Sequence, residues 1–159
     1  MDKRFPLLCS QDFCTGCGAC ENVCGFNAIN MKPNKRGFLL PYIDQNVCKQ
    51  CLLCEKVCPV LNPLKSNNKT MPNVYAAWNK DHNVRMASSS GGIFSAVASY
   101  VLDNDGICWG AAFDKDMTLC YQYSNDVSNL EKLRRSKYVQ SKISDTYKEI
   151  GRASCRERV

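Results

Sequence analysis

The chain has 159 residues, 45% of them hydrophobic and 23% charged, which suits one ordinary globular domain or two small ones. Its formal net charge of +6 comes from scattered lysines and arginines with no aromatic-and-basic motif, which argues against nucleic-acid binding. No apolar run reaches membrane-spanning length, and MDKRFPLL has too few apolar residues for a secretory signal, so we expect a cytoplasmic protein.

The first 13 residues are expected to pack through Phe5, Leu7 and Leu8 as an N-terminal strand. After them the pattern C-x2-C-x2-C-x3-C occurs twice, as CTGCGACENVC and CKQCLLCEKVC. All four cysteines recur at an offset of 34 residues, which predicts an internal duplication with approximate two-fold symmetry. In a reducing cytosol such thiols favour metal over disulfides.

The spacing favours two 4Fe-4S clusters, because a zinc ribbon needs two pairs of cysteines and has no use for a third cysteine at the same spacing. Zinc or a disulfide framework remains the alternative. In bacterial-type two-cluster ferredoxins the fourth cysteine of one run binds the cluster of the other run. By that rule the first cluster takes Cys14, Cys17, Cys20 and Cys58. The second takes Cys24, Cys48, Cys51 and Cys54.

Other residues fit this arrangement. Gly16 and Gly18 let backbone N–H groups approach the sulfides, whereas Leu52 and Leu53 cover the second cluster. Cys9 is interpreted as a spare thiol, because both clusters already have four ligands.

Between the two motifs, FNAINM and FLLPYI predict two strands joined by a turn at PNKRG, and Asp44 caps a helical turn before Cys48. Residues 1–61 are therefore expected to form a two-cluster ferredoxin-type domain that the metals staple together. Residues 62–73, NPLKSNNKTMPN, have the composition of a linker.

The second half begins with VYAAW, which predicts a strand, and NKDHN, which predicts a turn holding a solvated His82. Apolar residues from Ile93 to Leu102 recur on one helical face. ICWGAAF and MTLCYQY predict strands in which Cys108 and Cys120 are small buried hydrophobes. SNDVSNLEKL predicts a short capped helix, RRSKYVQS a loop and SDTYKEI the start of a further helix.

These elements do not close a sheet, so the expected fold class is α+β: a two-cluster ferredoxin-like domain followed by an incomplete α/β domain. The final residues, GRASCRERV, are similar to a translated sequencing adapter. We therefore expect residues 150–159 to be a non-native tail.

Together the two halves resemble the beta subunit of coenzyme F420 hydrogenase/dehydrogenase, a family of iron–sulfur flavoproteins. The resemblance rests on VYAAWNKDHNVRMASSSGGIFSAVASYVL, GICWGAAFDKDM and LEKLRRSKYVQSKISDTYKEI, which assign residues 74–149 to the N-terminal part of that subunit. Many relatives have glycine where this chain has Arg135. The resemblance implies electron transfer between 4Fe-4S clusters, a bound FAD and a deazaflavin, nicotinamide or other redox partner.

One segment independently suits a flavin phosphate. Ser89, Ser90, Gly91 and Gly92 precede a predicted helix, whose N-terminus presents free N–H groups and a positive dipole end; a flexible helix cap is the alternative. Lys137 and Tyr138 offer a charge and a flat ring beside the cofactor, or else lie in a solvated loop.

Two functions remain open at this point. The first is the N-terminal part of a flavin-dependent oxidoreductase that works with a redox partner, and the second is a ferredoxin-like carrier without chemistry of its own. The second unit favours the oxidoreductase, because a pure carrier has no need of it. No general acid, base or nucleophile can be named, and neither a membrane nor a nucleic-acid partner is expected.

Overall fold

The computed structural model describes residues 4–63 and 71–156, with side chains described as far as residue 151. The chain divides into two compact units. Within the described residues the first unit comprises 4–63 together with 143–156, and the second comprises 71–142. Most of the expected linker, residues 62–73, lies outside the described residues.

The first unit is built on one hairpin and two short helices. Strands β1 (Ile29–Pro33) and β2 (Leu39–Ile43) pair antiparallel, with Ile29 opposite Ile43, which confirms the two strands expected between the cysteine motifs. Helices α1 (Ala19–Val23) and α2 (Leu53–Lys56) each begin just before the third cysteine of a motif. The hairpin and helices thus hold the two cysteine loops in one unit.

The same backbone features recur 34 residues apart. The N–H of Cys14 donates to the Ser10 carbonyl at 3.0 Å, and the N–H of Cys48 donates to the Asp44 carbonyl at 3.0 Å. Helix α1 begins at residue 19 and helix α2 at residue 53. Sequence spacing and backbone geometry therefore agree on where the two copies align.

The N-terminal strand predicted from Phe5, Leu7 and Leu8 is wrong, since residues 4–10 contain no regular secondary structure. This segment is held instead by the Glu55 carboxylate of α2. Arg4 donates to both carboxylate oxygens, at 2.6 and 2.8 Å, and the N–H of Leu7 donates to one of them. The Glu55 carboxylate therefore accepts the Leu7 N–H, which in a strand would bond to a neighbouring strand.

The second unit packs one long helix and a two-stranded sheet. Helix α4 (Ile93–Asp103) confirms the helix predicted from apolar periodicity; α3 (His82–Met86) precedes it. Strands β3 (Cys108–Phe113) and β4 (Leu119–Ser124) form an antiparallel pair. The core consists of Ala98, Ala112, Leu130 and Leu133.

Two predictions for the start of this unit are wrong. VYAAW forms no strand: Val74, Tyr75 and Trp78 are exposed. NKDHN is not merely a turn, because the Asp81 side chain accepts the N–H groups of Asn83 and Val84 and starts α3 there. An Asp whose side chain can accept the N–H groups two and three residues later is an N-cap signal. The polar, loop-like composition of NKDHN made that signal easy to miss.

The remaining elements agree with expectation. Asp126 caps a 3₁₀ turn, Val127–Asn129, which leads into α5 (Leu130–Leu133), and α6 (Thr146–Arg156) occupies the last predicted helix start. In the described ranges no helix is both long and apolar enough to cross a membrane.

Candidate metal centres

The first cysteine-lined cavity lies between the first cysteine loop and the hairpin. It encloses about 370 Å³ of space, counted to its open mouth, and Met31, Pro41 and Val60 contribute apolar walls. Four of the thiols that line it are those of Cys14, Cys17, Cys20 and Cys58. Three come from the first motif and one from the far end of the second.

The second cavity has the reciprocal composition and encloses about 330 Å³. Its apolar walls include Pro6, Phe26, Leu52 and Leu53. The thiols that line it are those of Cys24, Cys48, Cys51 and Cys54. The structure therefore brings the eight predicted ligands together as two sets of four, with Cys24 and Cys58 exchanged between the runs.

Each set has the donor chemistry of a four-iron cluster, in which every iron takes one cysteine thiolate. A zinc ion would instead draw four sulfurs to about 2.3 Å from one centre. Among the described side chains, those of residues 4–63 and 71–151, no three His, Cys, Asp or Glu converge in a single-ion site. The four thiols that line each cavity provide the one cysteine per iron that a four-iron cluster requires.

Burial controls the protonation of the inner thiols. It raises the pKa of Cys20 to about 12, and the nearby Cys17 and Cys14 add to the shift, while an N–H bond from Glu21 opposes it. Burial also raises the pKa of Cys54, against an N–H bond from the equivalent residue Glu55. These thiols are protonated at neutral pH without metal, so cluster binding must release their protons.

Backbone N–H groups already point at ligand sulfurs. The N–H of Ala28 donates to Cys24 Sγ at 3.3 Å, and the N–H of Gln50 donates to Cys48 Sγ at 3.4 Å. Such bonds to cluster ligands tune the reduction potential.

The loops achieve this geometry through left-handed residues at matching positions. Gly16 and Gly18 have φ of 65° and 69°, and their counterparts Gln50 and Leu52 have φ of 56° and 60°. Glycine takes this conformation freely, whereas a side chain makes it strained. The left-handed conformations at Gly16, Gly18, Gln50 and Leu52 were not part of the sequence prediction, which gave the two glycines the separate role of admitting N–H groups to the sulfides.

Cys9, which the sequence indicates is a spare thiol, lies in the first cavity with the four expected ligands. Burial is the largest cause of a rise in its pKa to about 12, with Cys14 and Cys58 adding to it through charge and hydrogen bonding. The only signal available in the sequence was its position five residues before Cys14.

The segment after the second unit returns to the first cysteine loop. Asn22 of α1 donates to the carbonyl oxygens of Gly18, at 3.1 Å, and Ser144, at 2.6 Å. A Cβ placed on Gly18 would meet the Ile143 side chain at 3.4 Å. Residues 143 and 144 therefore cover the outside of the loop that carries Cys14, Cys17 and Cys20, a contact with no signal in the sequence.

The predicted phosphate seat lies at the start of α4. Ser89 and Ser90 are exposed, and Gly92 is the left-handed N-cap of the helix, with φ of 75°. The backbone of Gly91 packs closely against that of Ala77, since a Cβ added to Gly91 would lie 2.5 Å from the Ala77 carbonyl oxygen. Close backbone packing thus accounts for Gly91, while the two serines remain open to a ligand.

The segment before Lys137 and Tyr138 reaches the first turn of α4 through Arg134, which donates to Ser95 Oγ at 2.9 Å. Lys137 donates to the carbonyls of Lys132 and Arg134, and its partial burial lowers its pKa; Tyr138 is 94% exposed. Nearby, Arg135 has φ of 69°, the conformation that glycine adopts more easily.

The other singled-out residues have ordinary surroundings. Cys108 and Cys120 are half-buried, and their thiols donate to the carbonyls of Ala98 and Ala112, each at 3.7 Å. They are therefore packed but not fully buried. His82 is exposed in the first turn of α3.

Comparison with known proteins assigns both halves. Residues 13–62 match the family described as 4Fe-4S dicluster domain, and residues 74–148 match coenzyme F420 hydrogenase/dehydrogenase, beta subunit N-term. A component of the F(420)H(2) dehydrogenase of Methanosarcina mazei is 24% identical over 90% of this chain and 43% of its own length. The chain thus spans less than half of that relative.

Shorter relatives match the first half alone. A ferredoxin-like protein in the nif region of Sinorhizobium fredii is 39% identical over 35% of this chain and 86% of its own length. Its counterpart in Rhizobium leguminosarum bv. trifolii is 34% identical over 36% of this chain and 89% of its length.

Proposed function

The chain belongs to the coenzyme F420 hydrogenase/dehydrogenase beta subunit family and carries a 4Fe-4S dicluster domain, and from this we propose that it moves electrons through two clusters within an oxidoreductase. The observation that carries the proposal is the division of eight cysteines between two cavities, four to each. The clusters, when bound, supply one-electron transfer.

The protein's part is to hold and shield these groups. Three cysteines of one run and the last cysteine of the other run would ligate each cluster. Leu52 and Leu53 at the second cavity, and Met31 and Val60 at the first, keep water from the sulfides. The N–H groups of Ala28 and Gln50 stabilise the thiolate ligands.

For the second unit we propose a role in flavin chemistry. The exposed Ser89 and Ser90 at the start of α4 would face the phosphate of FAD, which joins one-electron cluster chemistry to two-electron transfer with a deazaflavin, nicotinamide or other partner. Lys137 and Tyr138 receive weaker support, because Lys137 is bound to backbone carbonyls.

The same proposal includes a larger α/β domain around the two-stranded sheet and redox partner proteins in the cytoplasm. The exposed apolar side chains of α4, among them Phe94, Val97 and Tyr100, support a further packing surface. The name of the relative from Methanosarcina mazei, a dehydrogenase subunit, supports partner subunits.

Reductive titration tests electron transfer through the clusters, and flavin analysis separately tests the proposed flavin chemistry. The anaerobically purified chain should accept about two electrons, one for each cluster. A chain that accepts none would contradict cluster-based transfer. Acid should release about one FAD from the protein purified from its own cells; cluster reduction without any flavin would leave the ferredoxin-like carrier as the function.

A further inference from the structure

The two cysteine-lined cavities differ in one respect: the first has a fifth thiol. Cys9 lines it together with the four expected ligands, whereas the second cavity is lined by four cysteines. A four-iron cluster needs one cysteine for each iron. The first cavity therefore holds one thiol more than its cluster uses.

The extra thiol has no counterpart in the other copy of the repeat. The residue 34 positions after Cys9 is Ile43, the last residue of β2. The alignment is secure at this point, because Ser10 and Asp44, the next residues, accept equivalent hydrogen bonds from Cys14 and Cys48. The second cavity is thus a built-in control.

Cys9 is placed beside particular ligands. It lines the same cavity as Cys14, the first cysteine of its own run, and Cys58, the crossed cysteine of the other run, and these two thiols help to raise its pKa. These are the two ligands whose irons a fifth thiol at this position would approach.

The segment that carries Cys9 is anchored through side-chain contacts and not through regular secondary structure. Arg4 and the N–H of Leu7 bind the Glu55 carboxylate, which keeps the segment against the ferredoxin unit. Residues 4–10 have no helix or strand of their own, so their backbone is free of a hydrogen-bonded ladder. A small shift of Cys9 toward the cavity would break no secondary structure.

We propose that Cys9 is a reserve ligand of the first cluster, able to replace Cys58 or Cys14 on its iron. This inference rests on the proposed pair of 4Fe-4S clusters. In the exchange the iron–sulfur bond to Cys58 breaks and one to Cys9 forms, while the proton of the Cys9 thiol passes to the Cys58 sulfur. No electron is gained or lost.

The test compares iron and sulfide contents and electron paramagnetic resonance of anaerobically prepared full-length variants. The unaltered chain and Cys9→Ala should each hold about eight irons, since Cys9 is not needed while the four ligands are present. Cys58→Ala should also keep about eight. Cys58→Ala with Cys9→Ala should fall to about four and show only the second cluster's signal. Alanine is used because a serine oxygen can itself bind iron.

The matched control is Cys24→Ala, which removes the crossed ligand of the cavity that has no fifth thiol. The Cys24→Ala variant should lose the second cluster even though Cys9 is present, which leaves about four irons. Cys14→Ala, with and without Cys9→Ala, repeats the comparison at the other neighbouring ligand, and the remaining cluster reports that the unit has folded.

Equal iron contents in Cys58→Ala and its Cys9→Ala double variant, and again in the Cys14 pair, would overturn the proposal. Loss of all iron from every ligand variant would overturn it too, because a reserve ligand must preserve the cluster. An unaltered chain without iron would refute the proposed function itself, which separates that failure from failure of the reserve ligand.

Discussion

Single residues in the cysteine loops carry backbone strain on one side of the repeat only. The first loop places Gly16 and Gly18 at its left-handed positions, and the second places Gln50 and Leu52 there. A left-handed residue with a side chain costs roughly 1–2 kcal/mol. Leu52 compensates by lining the second cavity, but Gln50 is not among the residues that line it.

Reciprocal substitutions at Gln50 and Gly16 should change the free energy of unfolding in opposite directions. Gln50→Gly should stabilise the protein by about 0.5–1 kcal/mol, because relief of strain exceeds the entropy that glycine adds to the unfolded chain. Gly16→Gln, the reciprocal change, should destabilise it by about 1 kcal/mol. Urea unfolding under anaerobic conditions measures both, and shifts of the same sign would contradict the strain account.

At the scale of elements, the sequence predicted those whose signal is local. The apolar stripe of α4, the hairpin of β1 and β2 and the Asp126-capped turn all follow from side-chain pattern and capping. The strand prediction for VYAAW is wrong although the segment has β propensity, because no strand pairs with it within the described part of the second unit. Helix α3 was missed because a single cap, Asp81, decides between turn and helix.

The candidate site divides in the same way. Spacing predicted which three cysteines of each run lie together, because a short loop fixes which thiols can meet, whereas the exchange of Cys24 and Cys58 came from the rule for bacterial-type ferredoxins. The segment that carries Cys9 is held by a salt bridge between Arg4 and Glu55, which are 51 residues apart. No local pattern encodes such a contact.

The core of the second unit depends on α5. Leu130 is fully buried against Ala98, Ala112 and Leu133. Leu130→Ala should therefore destabilise this unit by about 2–5 kcal/mol through lost burial and a residual cavity. Thermal unfolding of the second unit followed by near-ultraviolet circular dichroism measures the loss.

A surface change in the same unit provides the comparison. Tyr138→Ala, at a residue that is 94% exposed, should change stability by no more than about 0.5 kcal/mol. Equal losses of stability in Leu130→Ala and Tyr138→Ala would mean that Leu130 does not lie at the centre of the core.

For the whole molecule, the notable feature is that the chain returns to its first unit after the second. Residues 143–156 group with 4–63, and the buried Asn22 side chain binds the Ser144 carbonyl. The chain order alone predicted a simple succession of domains, and only tertiary contacts reveal the return. The cover over the first cysteine loop is therefore supplied from the far end of the chain.

Removing that link tests whether the return stabilises the cysteine loop. Asn22→Ala should cost about 1–2 kcal/mol, because two hydrogen bonds from a buried amide are lost. Lys56→Ala is the control, since Lys56 is exposed at the equivalent position of α2. Amide hydrogen exchange should rise in 143–150 for the first variant alone; unchanged exchange there would contradict the link.

The central claim is that two 4Fe-4S clusters share eight cysteines by crossed ligation, and paired spectroscopic markers test it most directly. Ala19 and Leu53 occupy equivalent positions beside the first and second cavities. Ala19→Asp and Leu53→Asp should each lower the midpoint potential of the adjacent cluster, because a nearby carboxylate disfavours the added electron, and so shift the potential at which its electron paramagnetic resonance signal appears.

Cys24→Ala is then added to each marked protein, and the spectra of the reduced samples are compared. With crossed ligation, the signal shifted by Leu53→Asp should disappear while the one shifted by Ala19→Asp persists, with about four irons retained. Loss of the Ala19-marked signal instead, or a colourless chain that holds stoichiometric zinc, would contradict it.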